Sequence, residues 1–347
     1  MWGMDKPTTP AKSRPSLLFP VIILAVTGVL LFRNGEKWLR TILVYLSQAG
    51  WARQLVSNWS IAWMVASRFV AGEDRQAAVE VGRTMNENGL MLTLDYLGES
   101  CTTEGEALHA RNEIMRILDD IDHHQLKANV SLKPSQLGLK IDTTLAQDNI
   151  CAIVQKAKQH GNFVRIDMED HPTTDATLAI YRHLRYNAGL DNVGVVIQSY
   201  LYRSEQDIEE LIEEGASVRL CKGAYAEPAE VAFPKKIDVD GNFLNLSRML
   251  LSRKALANGG YPAFATHDPK MIEEIKIYTK TNNIPIDKFE FQMLHGIRRD
   301  LQESLVRDGY RVRIYVPYGT AWYPYFVRRL AERPANMWFF ISNFFRA

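Results

Sequence analysis

Residues 162–200 read NFVRIDMEDHPTTDATLAIYRHLRYNAGLDNVGVVIQSY, and this stretch changes its periodicity twice. It contains two short β-prone runs, Asn162–Glu169 and Val193–Tyr200, with the helix-like stretch Thr174–Asn187 between them. Short apolar runs rich in β-branched residues are typical of buried strands, whereas apolar residues spaced by three or four indicate a helix. A strand, a helix and a second strand form a βαβ unit, whose two strands lie parallel in one sheet.

The same alternation extends along the chain in both directions. Helix-like stretches fill most of the gaps between six further β-prone runs, which are Met91–Leu97, Ala128–Lys133, Ser217–Tyr225, Ala263–Asp268, Phe289–Gly296 and Arg311–Tyr318. Eight unbroken βα units predict an α/β fold of the (βα)8 TIM-barrel type. A doubly wound sheet shares this alternation and is the alternative. However, no G-x-G-x-x-G follows the first run and no G-x-x-x-x-G-K-[ST] occurs, so those two modes of phosphate binding are absent.

Composition excludes several classes of protein. The 347 residues include 41 Lys and Arg against 40 Asp and Glu, a net charge of +1, which argues against nucleic-acid binding through a broad positive surface. Three cysteines without a C-x-x-C pair argue against a disulfide scaffold and a zinc ribbon. No H-E-x-x-H occurs and no second histidine cluster complements His123 and His124, so we expect no metal site.

The N-terminal region contains one apolar outlier. Ser16 to Phe32 is an uncharged stretch of 17 residues, the lower limit for a helix that spans a bilayer, and basic residues flank it on both sides. A membrane anchor or interfacial helix is the favoured interpretation, with a buried helix or a signal peptide as alternatives. The predicted domains are an extension at 1–37, with its apolar segment at about 16–32, a helical arm at 38–71 and the barrel at 72–347.

Polar groups fall at the ends of the predicted strands, where barrel enzymes place their active sites. They are Asp95, Lys133, Asp167, Gln198, Lys222 with Gly223, Thr266 with His267, Gln292 and Tyr315. Ordinary solvation of the loops, with Lys–Asp pairs closing the barrel, is the structural alternative. We favour a polar pocket because Lys133 and Asp167 lie within otherwise apolar runs.

The helix predicted after the last strand carries a second polar group. Tyr325, Arg328, Arg329 and Glu332 are spaced to share one helical face. Paired guanidinium groups bind a carboxylate and a carboxylate can bind an ammonium group, so this face suits a zwitterion such as an amino acid. A simple Arg328–Glu332 salt bridge is the alternative.

These motifs together resemble the proline dehydrogenase family. The resemblance rests on SLKPSQLGL, VRIDMED, IQSYLYR, VRLCKGAY, ATHDP, FEFQMLHG and YVPYGTAWYPYFVRRLAERPAN, in that order from about Arg68 to the C-terminus. It is nearest to the short, single-function bacterial form. Two departures are Cys221, where Val is usual, and the apolar extension before Trp38, which the resemblance does not cover.

The resemblance implies a distorted (βα)8 barrel that binds FAD, oxidises L-proline to Δ1-pyrroline-5-carboxylate and passes electrons to a membrane quinone. It assigns the proline carboxylate to Lys133, Arg328 and Arg329, the amine to Glu332, and the ring to Leu294, Tyr315 and Tyr325. Asp167 would order the site, and Arg219 would stabilise the reduced flavin. The residues expected to bind FAD are Met168, Gln198, Arg219, Lys222, Gly223, Ala224, Thr266 and His267.

Two rival functions stay open. A flavin barrel enzyme for another cyclic amino acid, such as hydroxyproline, would use the same Arg–Arg–Glu face. A non-catalytic, membrane-tethered amino-acid-binding protein would need no flavin. For the leading hypothesis we expect L-proline, a quinone and a membrane surface as partners, no nucleic acid, and a location on the cytoplasmic side of the cell membrane. A homo-oligomer is compatible with all of these.

Overall fold

A computed structural model describes residues 60–98 and 101–332. Eight parallel strands close into a barrel in which each strand pairs with its neighbour in sequence and β1 pairs with β8. The strands are β1 Met91–Tyr96, β2 Ala128–Leu132, β3 Val164–Ile166, β4 Val193–Gln198, β5 Val218–Cys221, β6 Ala263–Ala265, β7 Glu290–Leu294 and β8 Val312–Tyr318. The predicted (βα)8 barrel is therefore confirmed.

Helices connect consecutive strands and precede the first. They are α1 Ser60–Ala66, α2 Arg75–Glu87, α3 Glu104–His123, α4 Thr143–Gln159, α5 Thr174–Arg182, α6 Ser204–Glu213, α7 Lys236–Leu250, α8 Arg253–Ala257, α9 Pro269–Thr281, α10 Arg299–Arg307 and α11 Trp322–Glu332. The predicted helix Thr174–Asn187 ends in a π-helical turn, His183–Asn187. The connection between β5 and β6 contains both α7 and α8, and the Ser252 side chain caps α8 at its N-terminus.

Residues 56–326 form one compact unit that contains the barrel, and residues 327–332 at the end of α11 belong to a second unit. The predicted apolar segment at 16–32 lies outside the described residues. Within the described ranges, no helix combines the length and the apolar character that a membrane crossing needs.

The two faces of the strands differ in character. Side chains alternate between the faces, and the outward ones, such as Leu92 and Leu94, are buried and apolar and belong to one hydrophobic core. Thr93 faces the interior instead and donates a hydrogen bond to Asn129 Oδ1 over 2.6 Å. Because buried polar groups need partners, an interior of this kind restricts which strands can be neighbours.

The segment before α2 lies along the carboxyl end of β8. The amide of Ala71 donates to the carbonyl of Pro317, and the indole of Trp322 donates to Glu73 Oε1 over 2.8 Å. Gly296, just after β7, meets the same segment with φ +75°, and a Cβ there would lie 1.8 Å from the carbonyl oxygen of Arg68. A glycine is therefore required where the two backbones touch.

Candidate active site

The ends of β1 and β2 hold a buried ion pair. Asp95 is 1% exposed, and Lys133 Nζ lies 2.8 and 2.9 Å from its two carboxylate oxygens. Burial raises the pKa of Asp95, although Lys133 opposes this. Burial also disfavours the charged ammonium, but Asp95 and Asp167 outweigh it and raise the pKa of Lys133. Lys133 is thus a fixed cation.

Asp167, directly after β3, connects four strands. Its Oδ1 accepts hydrogen bonds from Ser131 Oγ at 2.6 Å and Arg219 Nη1 at 2.8 Å, and its Oδ2 accepts one from Tyr315 OH at 2.8 Å. Burial alone would raise the pKa of Asp167, but Arg219 and Lys133 hold it below its ordinary value. Burial raises the pKa of Tyr315 well above its usual value, so its hydroxyl is a neutral donor.

We call Asp95, Lys133, Asp167, Arg219 and Tyr315 the strand-end cluster. Lys133 Nζ also lies 3.1 Å from the Tyr315 hydroxyl and 3.6 Å from Asp167 Oδ2. The structure therefore brings together four of the predicted site residues, and Asp95 joins them. Asp95 was predicted as a polar residue at a strand end but without a role, because its partner lies on another strand.

A chain of hydrogen bonds from β7 and β8 orients Arg219. Arg219 Nε donates to Gln292 Oε1, and Gln292 Nε2 donates to Glu290 Oε1, which also accepts from Arg313 Nε at 2.7 Å. Sequence reasoning missed Glu290 and Arg313. The signal was present in FEFQ, where Glu290 and Gln292 alternate with two phenylalanines and so share the inward face.

The residues predicted to bind FAD lie along the ends of β3 to β6. Gly223, in the loop after β5, has φ +117°, and a Cβ there would lie 2.5 Å from the ring of Tyr200. The neighbouring Lys222 ammonium contacts Asp240 and, at 2.9 Å, Asp268.

Three of the remaining predicted FAD residues are held by hydrogen bonds. Gln198 donates to the carbonyl of Glu169, Thr266 Oγ1 accepts from the amide of Asp268, and His267 Nε2 accepts from the amide of Leu294. Met168 is buried and Ala224 is exposed.

Cys221, at the end of β5, is a packing residue. Burial raises the pKa of its thiol to about 12, so the thiol is neutral. Among the residues at 60–98 and 101–332, no group of three or more His, Cys, Asp or Glu side chains is arranged to hold a metal ion.

The predicted substrate face lies on α11. Tyr325 is buried, Arg328 is exposed and Arg329 is half-buried, and Glu332 is the last residue of the helix. Arg328, Arg329 and Glu332 belong to the second compact unit. Their role in binding the substrate stays a prediction.

A closed parallel barrel with a buried, hydrogen-bonded charged cluster at its strand ends is typical of a (βα)8-barrel enzyme. The family model described as "Proline dehydrogenase" matches residues 78–341. The chain belongs to the proline dehydrogenase family.

Known relatives agree with this assignment. The chain is 42% identical over 300 residues to "Proline dehydrogenase 2" of Bacillus subtilis, which covers 86% of this chain and 96% of that protein. It is 41% identical over 284 residues to "Proline dehydrogenase" of Deinococcus radiodurans, covering 81% and 90%. The crystal structure of proline utilization A from Bdellovibrio bacteriovorus superposes with a TM-score of 0.74 at 25% identity, covering 86% of this chain and 36% of that one.

Replacing Lys133 with Met should destabilise the fold by about 3–5 kcal/mol, because it leaves Asp95 buried without its cation. The double variant Lys133→Met, Asp95→Leu should recover most of this loss. Since burial raises the pKa of Asp95, the folded single variant binds more protons than the unfolded chain. Its deficit should therefore shrink as pH falls from 7 towards 4.

Urea unfolding at several pH values measures these differences. Lys276→Met is the matched control, because it breaks a surface ion pair with Asp308 and should cost less than about 1 kcal/mol. A double variant no more stable than Lys133→Met would contradict the assignment of Asp95 and Lys133 as a coupled pair.

Proposed function

We propose that this protein oxidises L-proline to Δ1-pyrroline-5-carboxylate with FAD as its cofactor and passes the electrons to a membrane quinone. The observation that supports this most is the strand-end cluster, in a chain that belongs to the proline dehydrogenase family. The cluster offers fixed cations and a neutral hydroxyl, which suit an anionic substrate group and an electron-accepting cofactor.

The residues at the strand ends fit a flavin. Arg219 is buried, and its Nη2 has no hydrogen-bond partner among the described residues, so it has a donor available for a bound group. Gly223 keeps the backbone free of a side chain where the loop turns after β5. The proposed cofactor residues are Met168, Gln198, Arg219, Lys222, Gly223, Ala224, Thr266 and His267. FAD, when bound, supplies the acceptor for a hydride, and the protein provides binding and orientation.

The proposed substrate residues come from the strand ends and from α11. Lys133, Arg328 and Arg329 would bind the proline carboxylate, because guanidinium and ammonium groups form strong charge-assisted hydrogen bonds to it. Glu332 would bind the amine, while Leu294, Tyr315 and Tyr325 would pack on the ring.

Asp167 acts through its neighbours rather than as a base. Its pKa is held low by Arg219 and Lys133 against the effect of burial, so it takes up a proton poorly at neutral pH. Its three hydrogen bonds instead fix the orientation of Ser131, Arg219 and Tyr315. Positioning of this kind lowers the barrier because the groups need no reorganisation during the reaction.

Purified full-length protein should show a flavin absorbance spectrum, and anaerobic addition of L-proline should bleach it. A parallel addition of hydroxyproline compares the rival cyclic substrate. An intact flavin that proline leaves unbleached would contradict the proposed substrate. Colourless protein that binds proline would support the non-catalytic binding function instead.

Arg328→Ala and Arg329→Ala should each raise the KM for proline about 10- to 100-fold, because each removes a charge-assisted hydrogen bond worth about 1.5–3 kcal/mol. Steady-state assays with an artificial electron acceptor measure this. Arg307→Ala is the control, since this exposed arginine of α10 makes only a weak contact with Glu303 at 3.9 Å. Wild-type KM in both variants would show that this helical face does not bind the carboxylate.

The proposed location is the cytoplasmic side of the cell membrane, where the uncharged segment Ser16–Phe32 would provide an anchor or interfacial contact. The full chain should pellet with membranes, whereas a chain that starts near Leu39 should remain in the supernatant. Sedimentation with and without detergent measures the partition. Both chains remaining in solution without detergent would rule out the anchor.

A further inference from the structure

The interior of the barrel contains one more cation than carboxylates. In the described part of the chain, four cations and three carboxylates face it from the strands or from the residue after a strand: Asp95, Lys133, Arg165, Asp167, Arg219, Glu290 and Arg313. The buried carboxylate of Glu169 lies further along the chain and accepts hydrogen bonds from the amide and hydroxyl of Ser135, in the turn after β2, so we count it with that turn. Lys222 also follows a strand, but it contacts Asp240 and Asp268, which Lys236 contacts as well, so that group is balanced.

Arg165 is the surplus cation. The other six charged groups form the ion pairs Lys133–Asp95, Arg219–Asp167 and Arg313–Glu290. The guanidinium of Arg165 instead donates from Nη1 to two backbone carbonyls, those of Val195 at 3.0 Å and Ser217. Its Nε is buried and has no hydrogen-bond partner among the described residues.

The guanidinium of Arg165 occupies a closely packed site between β3 and β4. Arg165 on β3 is in register with Gly194 on β4, and a Cβ at Gly194 would lie 2.6 Å from Arg165 Nη1. The ring of Phe163 lies 4.8 Å from the guanidinium carbon, and Arg165 is only 3% exposed. A buried charge without a counter-ion is unfavourable, so its accommodation needs an explanation beyond packing.

The location of Arg165 is directly beneath the strand-end cluster. It precedes Asp167 by two residues on the same face of β3, a separation of about 7 Å along the strand. Arg219 pairs in register with Val196, two residues beyond Gly194, and its Nη1 donates to Asp167 at 2.8 Å. Burial, with Arg219 second, lowers the pKa of Arg165 to about 9, which leaves it charged at neutral pH.

We infer that Arg165 raises the reduction potential of the flavin by placing an uncompensated positive charge beneath the strand-end cluster. This inference rests on the proposed function. Transfer of a hydride from proline carries two electrons and one proton, and so adds one negative charge above the strand ends. A fixed cation in the low-dielectric interior favours that added charge over the neutral oxidised state. Arg165 is therefore a positioning residue that acts through the field and through Asp167 and Arg219.

Replacing Arg165 with Met tests the charge while keeping the side chain long and apolar. The equilibrium between reduced and oxidised flavin should shift at least tenfold towards the oxidised form, a fall of about 30 mV in the midpoint potential for two electrons. Equilibration of the bound flavin with reference dyes measures the potential without turnover. Arg165→Lys, which keeps the charge, should remain within threefold of wild type.

Arg185→Met is the matched control. Arg185 also donates to a backbone carbonyl, that of Glu214, and lies 6.0 Å from an aromatic ring, that of Tyr181, but it is outside the barrel. The midpoint potential of the flavin in the Arg185→Met variant should equal that in the wild type.

The possible outcomes separate the two proposals. Yellow Arg165→Met protein with a wild-type potential, even if less stable, would overturn the inference and leave Arg165 a structural residue. An equal fall in Arg165→Lys would also overturn it, because the effect would then not follow the charge. If Arg165→Met does not fold, Arg165→Gln, which removes the charge but keeps a polar side chain, carries the test. A wild-type potential in Arg165→Gln would contradict the inference. Wild-type protein without flavin would overturn the proposed function and this inference with it.

Discussion

The contact between Asp167 and Arg219 is the interaction on which the interior of the barrel depends. A buried ion pair needs further hydrogen bonds to offset its loss of hydration. Here Ser131 and Tyr315 donate to the carboxylate, and Gln292 accepts from Nε of the guanidinium, while Nη2 of Arg219 has no partner among the described residues. Five strands thus contribute to one hydrogen-bonded group. Their register follows from electrostatics as well as from the apolar packing outside.

The sequence predicts the strands and helices well, but it does not predict the contacts that side chains make across the barrel. The eight βα units were predictable because each outward strand face is apolar and each helix has its own periodicity. Asp167, Arg219 and Tyr315 were predictable from motifs. Glu290 and Arg313 were not, since alternation along a strand tells which face a residue occupies but not which residue it meets across the barrel. The helical stretch predicted at Leu244–Asn258 is divided into α7 and α8, and the break was not predictable from periodicity because it depends on local capping by Ser252.

Arg165 shows the same limit more clearly. Within VRIDMED it reads as one charged residue in an apolar run, and Gly194 reads as an ordinary glycine in VGVV. Only the register of β3 on β4 shows that the glycine leaves room for the guanidinium. A pairing of this kind is invisible in one sequence, since the two residues are 29 positions apart. A glycine is needed at position 194 for a local steric reason, but only the closed sheet places it beside Arg165.

A charged interior also fits one kind of chemistry better than others. General base catalysis needs a group whose pKa lies near the working pH, yet Arg219 and Lys133 hold the pKa of Asp167 low and burial holds that of Tyr315 high. Groups fixed in one protonation state are instead suited to stabilise a charge that appears during the reaction. Hydride transfer to a bound acceptor creates such a charge without requiring the protein to exchange a proton at the strand ends. Under the proposed function, an interior with three ion pairs and one further cation suits an acceptor that becomes more negative.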